Sequence, residues 1–261
     1  MPGPVYHPVA TGIASDTVTQ HAGPASIVLW GGWFCPFTQR TWAALEAKGI
    51  PYQYREVNPY LKEKDFIDIS PHGLTPGLQV DGRPLHDSTV INEFLEEAGS
   101  ALGAHPAVPS LWPNSGDGPY EKARARLWID HVNKAAVPAF IRLLQAASPP
   151  SQAAALAAWT TALDHITAHC QGPFFFGNEI SLVDLAIAPW AVRDFILCEK
   201  RGFRRDQVSG WTAWAEALER HPAVQRTTSN RDKYLEFNQT FMRNEDHSAV
   251  AKAARAGEQI I

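Results

Sequence analysis

The residues best suited to chemistry lie in WGGWFCPFTQR, positions 30–40. Cys35 follows a short apolar run of strand length, SIVLW at 26–30. It precedes TQRTWAALEAKG at 38–49, which has helical spacing and a glycine at a C-terminal cap position. Pro36 then falls in the first helical turn, where its missing N–H costs nothing. A sulfur on such a strand-to-helix turn faces backbone N–H groups and the positive helix end. Both lower a thiol pKa and favour the thiolate, a nucleophile toward disulfides and electrophiles. Three positions on stands Thr38, not a second cysteine. A mixed disulfide on Cys35 therefore has no local resolving partner and must be released by an external thiol. The alternative, an inert buried cysteine, is outweighed by this setting.

Two further features could serve a peptide-like ligand. Thr75-Pro76 opens a strand after a loop, which makes Pro76 a candidate cis-proline. The residue before it would offer its backbone N–H and C=O to an extended peptide. Asp87-Ser88 precedes another helical segment. Ser88 can cap that helix, the free helix end can receive a carboxylate, and Asp87 can pair with an ammonium. Together these suit an amino-acid head group. Lys62, on the loop before, could meet a second carboxylate.

The elements that must hold these residues read as strand, helix, strand, then strand, strand, helix. PYQYREV at 51–57 alternates as a strand does. Residues 78–80 and 84–86 flank an Asp81-Gly82 turn and form a hairpin. STVINEFLEEAG at 88–99 carries apolar Val90, Ile91, Phe94 and Leu95 and reads as a helix. Residues 25–104 thus form one α/β domain with a crossover between the first two strands. Residues 1–24, rich in Pro, Gly and small polar residues, read as an irregular surface extension. Residues 105–118 are a Pro- and Gly-rich linker. Residues 119–261 read as all-helical. A long helix there is expected to bend at Pro138. Leu156, Trp159, Leu163, Ile166 and Cys170 recur at helical spacing, so Cys170 is packing material, and Cys198 takes the same reading. Ser181 and Asp184 make a capping box, with Ile180 and Leu185 placed as a hydrophobic staple.

Bulk properties narrow the function classes. The chain has 261 residues, 45% hydrophobic and 19% charged, with net charge −4. That suits an ordered core and gives no basic stripe for nucleic acid. Three cysteines do not make a disulfide framework in a chain of this length and fit a reducing, cytoplasmic setting. Neither a secretory leader nor an apolar run of membrane-spanning length is visible. No His/Cys/Asp set has metal-ligand spacing, and Gly31-Gly32 is not a phosphate loop.

With these features placed, the chain resembles the glutathione transferase family, in particular its omega class and the fungal omega-like members. The resemblance rests on WFCPFTQR, GLTPGL, LHDSTVINEFLEE and SLVDLAIAPW, and covers essentially the whole chain after the extension. It implies a thioredoxin-like domain followed by an all-helical domain, with glutathione as cosubstrate. It makes Cys35 the residue that forms a mixed disulfide with glutathione, to be resolved by a second glutathione. Phe37 would line the glutathione site, and Lys62 would meet the glycine carboxylate. The Thr75 backbone would pair with the cysteinyl part beside Pro76, and Asp87 and Ser88 would hold the γ-glutamyl head. Asp87 stands where glutamate is common in the class, and Thr75 replaces a usually apolar residue. A second-substrate cleft would draw on Trp33, Trp128 and His131. The implied activity is thiol transfer, deglutathionylation or dehydroascorbate reduction in a detoxifying role, acting on small-molecule or protein glutathione adducts as a homodimer. The alternative is a non-catalytic carrier of apolar or aromatic molecules on the same fold.

Overall fold

The structure is a computed structural model and describes residues 7–58, 61, 63–113, 118–256 and 258. The chain divides into two compact units.

The first unit spans residues 7–111 and takes back residues 220–230. Its centre is a four-stranded sheet of order β2-β1-β3-β4. Strand β1 (Ile27–Gly31) pairs in parallel with β2 (Gln53–Glu56) and antiparallel with β3 (Gly77–Val80), which continues through the hairpin into β4 (Arg83–His86). The parallel pair is joined by helix α2 (Pro36–Lys48). Period-two alternation splits β1 into two faces. Ile27 and Leu29 fall on one. Val28 and Trp30 fall on the other, in a cluster with Val57, Phe66 and Ile69. Phe66 and Ile69 belong to a short helix, α3 (Lys64–Ile69), which the sequence analysis did not identify. Helix α4 (Ser88–Glu97) packs against α2 and buries Ile91 and Leu95.

Two local choices place the turn that holds Cys35. A side chain at Gly31 would collide with Thr38, so only glycine lets the end of β1 approach α2 this closely. At the other end of α2, Gly49 adopts φ 61°, and its N–H bonds back to Glu46 and Leu45, closing the helix as the sequence suggested.

The amino-terminal segment is not irregular as expected. Residues Ile13–Gln20 form helix α1, burying Ala14 and Thr17. Ser, Thr and Asp give this stretch weak helix propensity, and tertiary contacts supply the rest. Thr11 and Asn230 exchange bonds with their partners across the unit: Thr11 N–H donates to Ser229 Oγ, and Asn230 N–H donates to Thr11 Oγ1. The backbone N–H of Tyr54 donates to His21 O, tying the end of α1 to the edge of the sheet. The short helix α10 (Pro222–Arg226) packs on both α1 and α2. The sequence left these residues in the helical domain, yet they complete the first unit.

The second unit holds residues 112–219 and 231 onward. It contains α5 (Gly118–His131), α6 (Val137–Gln145), α7 (Pro149–Thr167), α8 (Leu182–Lys200), most of α9 (Trp211–Arg220), α11 (Arg231–Met242) and α12 (Ala249–Ala256). A π-helical turn over Val132–Ala136 separates α5 from α6, two residues before Pro138. Pro138 lies in the first turn of α6, directly after the π-helical residues. Trp159 lies against Phe140, Phe203 and Trp211 in edge-on contacts. The capping box at α8 forms as expected, and the buried Asp184 carboxylate also accepts from Phe175 N–H and Trp214 Nε1–H.

Candidate active site

Cys35 is the N-cap of α2, with extended backbone (φ −77°, ψ 120°), and Pro36 occupies the first helical turn. The residue is half-buried. Its Sγ–H donates to the carbonyl oxygen of Thr75 at 3.7 Å. The peptide between Thr75 and Pro76 is cis, and β3 begins at the next residue. The turn that holds Cys35 and the turn before β3 therefore meet. This follows from the antiparallel pairing of β1 and β3, which brings the end of one strand to the start of the other.

The other two cysteines do not share this setting. Cys170 is half-buried, and burial followed by the charge of Asp184 pushes its thiol up to about 12. Cys198 lies exposed at the end of α8 and is not packing material, which corrects the sequence expectation. Partial burial of its sulfur and the charge of Asp194 push its thiol up to about 11. Neither forms appreciable thiolate at neutral pH.

At the start of α4 the roles differ from those expected. Asp87, not Ser88, is the N-cap, and its carboxylate accepts from Thr89 N–H and Val90 N–H at 2.8 and 3.0 Å. Carboxylates and hydroxyls cap equally well, and here the residue with non-helical backbone (φ 73°) is the aspartate. Ser88 is the first helical residue and is 6% exposed. Its hydroxyl oxygen accepts from Arg40 Nη1 at 3.5 Å. Asp87 itself is exposed, so its carboxylate is open to solvent while it caps.

Two residues near this site were missed in the sequence. Arg40 is 2% exposed on α2, with its guanidinium 5.1 Å from the centre of the Phe37 ring. It sits on a helix that the structure buries on most sides. Glu56, at the end of β2, accepts from the backbone N–H of Trp33 at 3.2 Å. Burial pushes its carboxyl up to about 8, against the opposing effects of the Trp33 and Tyr54 bonds. The alternation of QYRE does put Tyr54 and Glu56 on one strand face, which was the available clue.

The remaining expected residues fare differently. Phe37 is half-buried on the first turn of α2. Lys62 lies outside the described residues. Trp33 is only 1% exposed, and its indole N–H donates to the His7 carbonyl at 2.9 Å. Its ring is therefore structural, which removes it from the expected second-substrate set. Trp128 and His131 are neighbours on the second unit, with ring centres 5.9 Å apart. The His131 ring binds the Ala162 carbonyl at 2.9 Å, and burial lowers its pKa. Trp128 also lies against His165, His169 and Phe175. Among the described residues, no group of three or more His, Cys, Asp or Glu side chains could hold a metal ion. No described helix is long and apolar enough to cross a membrane.

Chemically, the first unit presents one thiol at a helix start, one backbone carbonyl facing it, and a second helix start bearing a carboxylate and a hydroxyl. The family models that match are the glutathione S-transferase N-terminal domain over residues 34–98 and the C-terminal domain over 135–220. A probable glutathione S-transferase GSTU6 of Oryza sativa subsp. japonica is 30% identical, covering 85% of this chain and 97% of that protein. Glutathione S-transferase omega-1 of Rattus norvegicus is 33% identical over 61% of this chain and 64% of its own. Among solved structures, glutathione transferase Omega 3C of Trametes versicolor superposes with TM-score 0.82 at 44% identity, over 92% of this chain and all of that one. Rice GST1 (OsGSTU1) in complex with glutathione gives 0.74 at 27% identity, over 83% and 96%.

Proposed function

The chain belongs to the glutathione S-transferase family, and on that premise we propose that it is a cysteine-type, omega-class member that moves glutathione between thiols. The observation that carries this is the placement of the Cys35 sulfur at the start of α2, against the Thr75 carbonyl. A hydroxyl at this position could only stabilise the thiolate of glutathione for conjugation. A thiol can bond to it.

The reaction runs in two balanced steps. The Cys35 thiolate attacks the glutathionyl sulfur of an adduct GS–SR. An S–S bond forms between Cys35 and glutathione, the GS–SR bond breaks, and RS⁻ leaves and takes a proton. A second glutathione thiolate then attacks the glutathionyl sulfur, releasing oxidised glutathione and restoring the Cys35 thiolate. Thr38 in place of a second cysteine leaves the second step to free glutathione.

Recognition is assigned to the same unit. Glutathione extends past the Thr75 backbone as an added strand. Its γ-glutamyl head meets the start of α4, where Ser88 receives the carboxylate and the exposed Asp87 carboxylate, which also caps Thr89 and Val90 N–H, receives the ammonium. Phe37 lines the site. Adducts of proteins or small molecules are the proposed substrates, and a homodimer is the proposed assembly.

Turnover of a glutathionylated peptide, coupled to glutathione reductase and NADPH, tests this. Wild type should release the free peptide with glutathione as the co-reactant, and Cys35→Ser should lose at least about a hundredfold of that rate. Retained turnover in Cys35→Ser, or none in wild type, overturns it.

A further inference from the structure

Helix α1 has weak propensity of its own, yet its last turn is fastened to the sheet edge. His21 caps its C-terminal end, and the His21 carbonyl accepts from Tyr54 N–H at 2.8 Å. The half-buried His21 ring lies flat on the Tyr52 ring, with centres 3.8 Å apart and planes at 15°. Both of its nitrogens face oxygen. Nδ1 lies 2.9 Å from the Tyr52 carbonyl, and Nε2 lies 3.1 Å from Glu46 Oε1. The Tyr52 hydroxyl accepts from the Trp42 indole and donates to Glu46 Oε1 at 2.7 Å, and Arg226 of α10 ion-pairs with Glu46 Oε2 at 2.6 Å. Glu46 is therefore set as a carboxylate. A carbonyl and a carboxylate can only accept. A neutral imidazole has one N–H, so its bare nitrogen would turn a lone pair toward one of the two oxygens. Only the imidazolium donates to both. Other charged or titratable groups on the elements packed here are engaged elsewhere. Lys48 of α2 pairs with Glu96, Arg55 of β2 lies over the Trp30 ring, Glu56 accepts from Trp33 N–H, and His221 caps α10. Asp16 lies in the first turn of α1, away from its last.

We propose that His21 is a pH-sensitive latch, which as an imidazolium fastens α1 to α2 and the sheet edge and which loosens when the ring loses its second proton. The segment so fastened also reaches the turn that holds Cys35, where the Trp33 indole donates to the His7 carbonyl. The balance of effects on the ring agrees with the geometry. Burial lowers its pKa and the charge of Arg226 does the same, but the Glu46 and Tyr52 bonds and the Glu46 charge outweigh them, so the value is raised from 6.5. The stabilisation from a raised imidazole is fully present below about 6.5 and is lost as pH rises through the folded value. Glu46 shifts the other way. Burial raises its pKa, and the His21 and Tyr52 bonds with the Arg226 charge bring it below 4.5. The carboxylate therefore persists while the ring titrates, and His21 alone sets the upper limit of the latch.

Hydrogen exchange read by mass spectrometry on the full-length protein tests this, with rates corrected for the intrinsic effect of pH. The quantity to follow is the protection of residues 13–20 in wild type divided by that in His21→Gln. It should fall at least about threefold between pH 6 and pH 8.5. The same ratio for β1 should stay constant, since the buried Glu56 carboxyl acts alike in both chains and cancels. Glu46→Gln removes the acceptor that demands a second proton, because an amide can donate to a neutral ring. In that variant the protection of α1 relative to β1 should no longer depend on the His21 titration. A constant α1 ratio would overturn the inference, as would a fall of equal size in β1. Should His21→Gln fail to fold, titration of the wild-type His21 ring by NMR decides. A midpoint above 6.5 supports the latch, and a midpoint at or below 6.5 overturns it. Neither readout depends on turnover, so the latch and the proposed function can fail separately.

Discussion

The Cys35 sulfur lies 3.7 Å from the carbonyl oxygen of Thr75, forty positions along the chain. Neither residue is informative alone. A cysteine before a proline and a threonine before another proline are common, but here β1 and β3 run antiparallel and bring the two turns together. A disulfide bond is only about 2 Å long. A glutathione bonded to Cys35 would therefore have its cysteinyl backbone within reach of the Thr75 peptide. On the proposed function, the contact that sets the Cys35 sulfur also sets where the bound glutathione lies.

That contact uses the backbone of Thr75 and not its side chain. Thr75→Val keeps the shape and removes only the hydroxyl. It should change the KM for glutathione by less than about threefold, since substitutions that leave the key contact intact are usually near neutral. Steady-state kinetics with a glutathionylated peptide check this. A tenfold or larger rise would show that the hydroxyl itself takes part.

Asp87 has two roles that substitution can separate. As the cap of α4 it satisfies Thr89 and Val90 N–H groups. As an anion it is assigned to the ammonium of the head group. Asp87→Asn preserves the cap and tolerates the positive φ. It should leave Tm nearly unchanged while raising the KM for glutathione. Asp87→Ala should do both, raising KM and costing about 1 kcal/mol of stability. Thermal melts run beside the kinetics separate the two effects.

Glu56 makes stability depend on pH in an unusual direction for a carboxyl. Its folded pKa is about 8, above the ordinary value of 4.5, because burial disfavours the charge. Between those values the folded chain keeps a proton that the unfolded chain has released. Stability from this group is therefore fully present below about 4.5 and declines as pH rises through 8. Glu56→Gln keeps an acceptor for the Trp33 N–H and has no charge to bury. It should raise Tm at pH 8.5 relative to wild type and flatten the slope between pH 5 and 8. Melts across that range give the answer. A variant with an unchanged slope would place the dependence elsewhere.

Much of the fold was legible in the sequence because strong local signals agreed with the tertiary arrangement. The β-α-β and β-β-α order, the Asp81-Gly82 hairpin, the Gly49 stop and the Ser181–Asp184 capping box all rest on contacts within a few residues. What escaped depends on distant partners. Helix α1 has weak propensity and forms against residues 222–230. Pro138 marked a disruption of the long helix, but not that it takes the form of a π-helical turn over Val132–Ala136. At the site, Cys35 and Thr75 were identified by residue type, and their contact needed the sheet. Ser88 was expected to cap, but backbone geometry gave that role to Asp87. Arg40 and Glu56 were missed because charged residues are ordinarily solvated, and only the packed structure shows them buried.

Intact mass after treatment with oxidised glutathione tests the central claim most directly, with wild type beside Cys35→Ser and peptide mapping of any adduct. Wild type should gain one glutathione, mapped to Cys35 and removed by reduced glutathione, and Cys35→Ser should gain none. The thiols pushed up to about 12 at Cys170 and about 11 at Cys198 should stay unmodified at neutral pH. An adduct that persists in Cys35→Ser, or maps to Cys170 or Cys198, or never forms, would contradict the assignment of Cys35 as the working nucleophile.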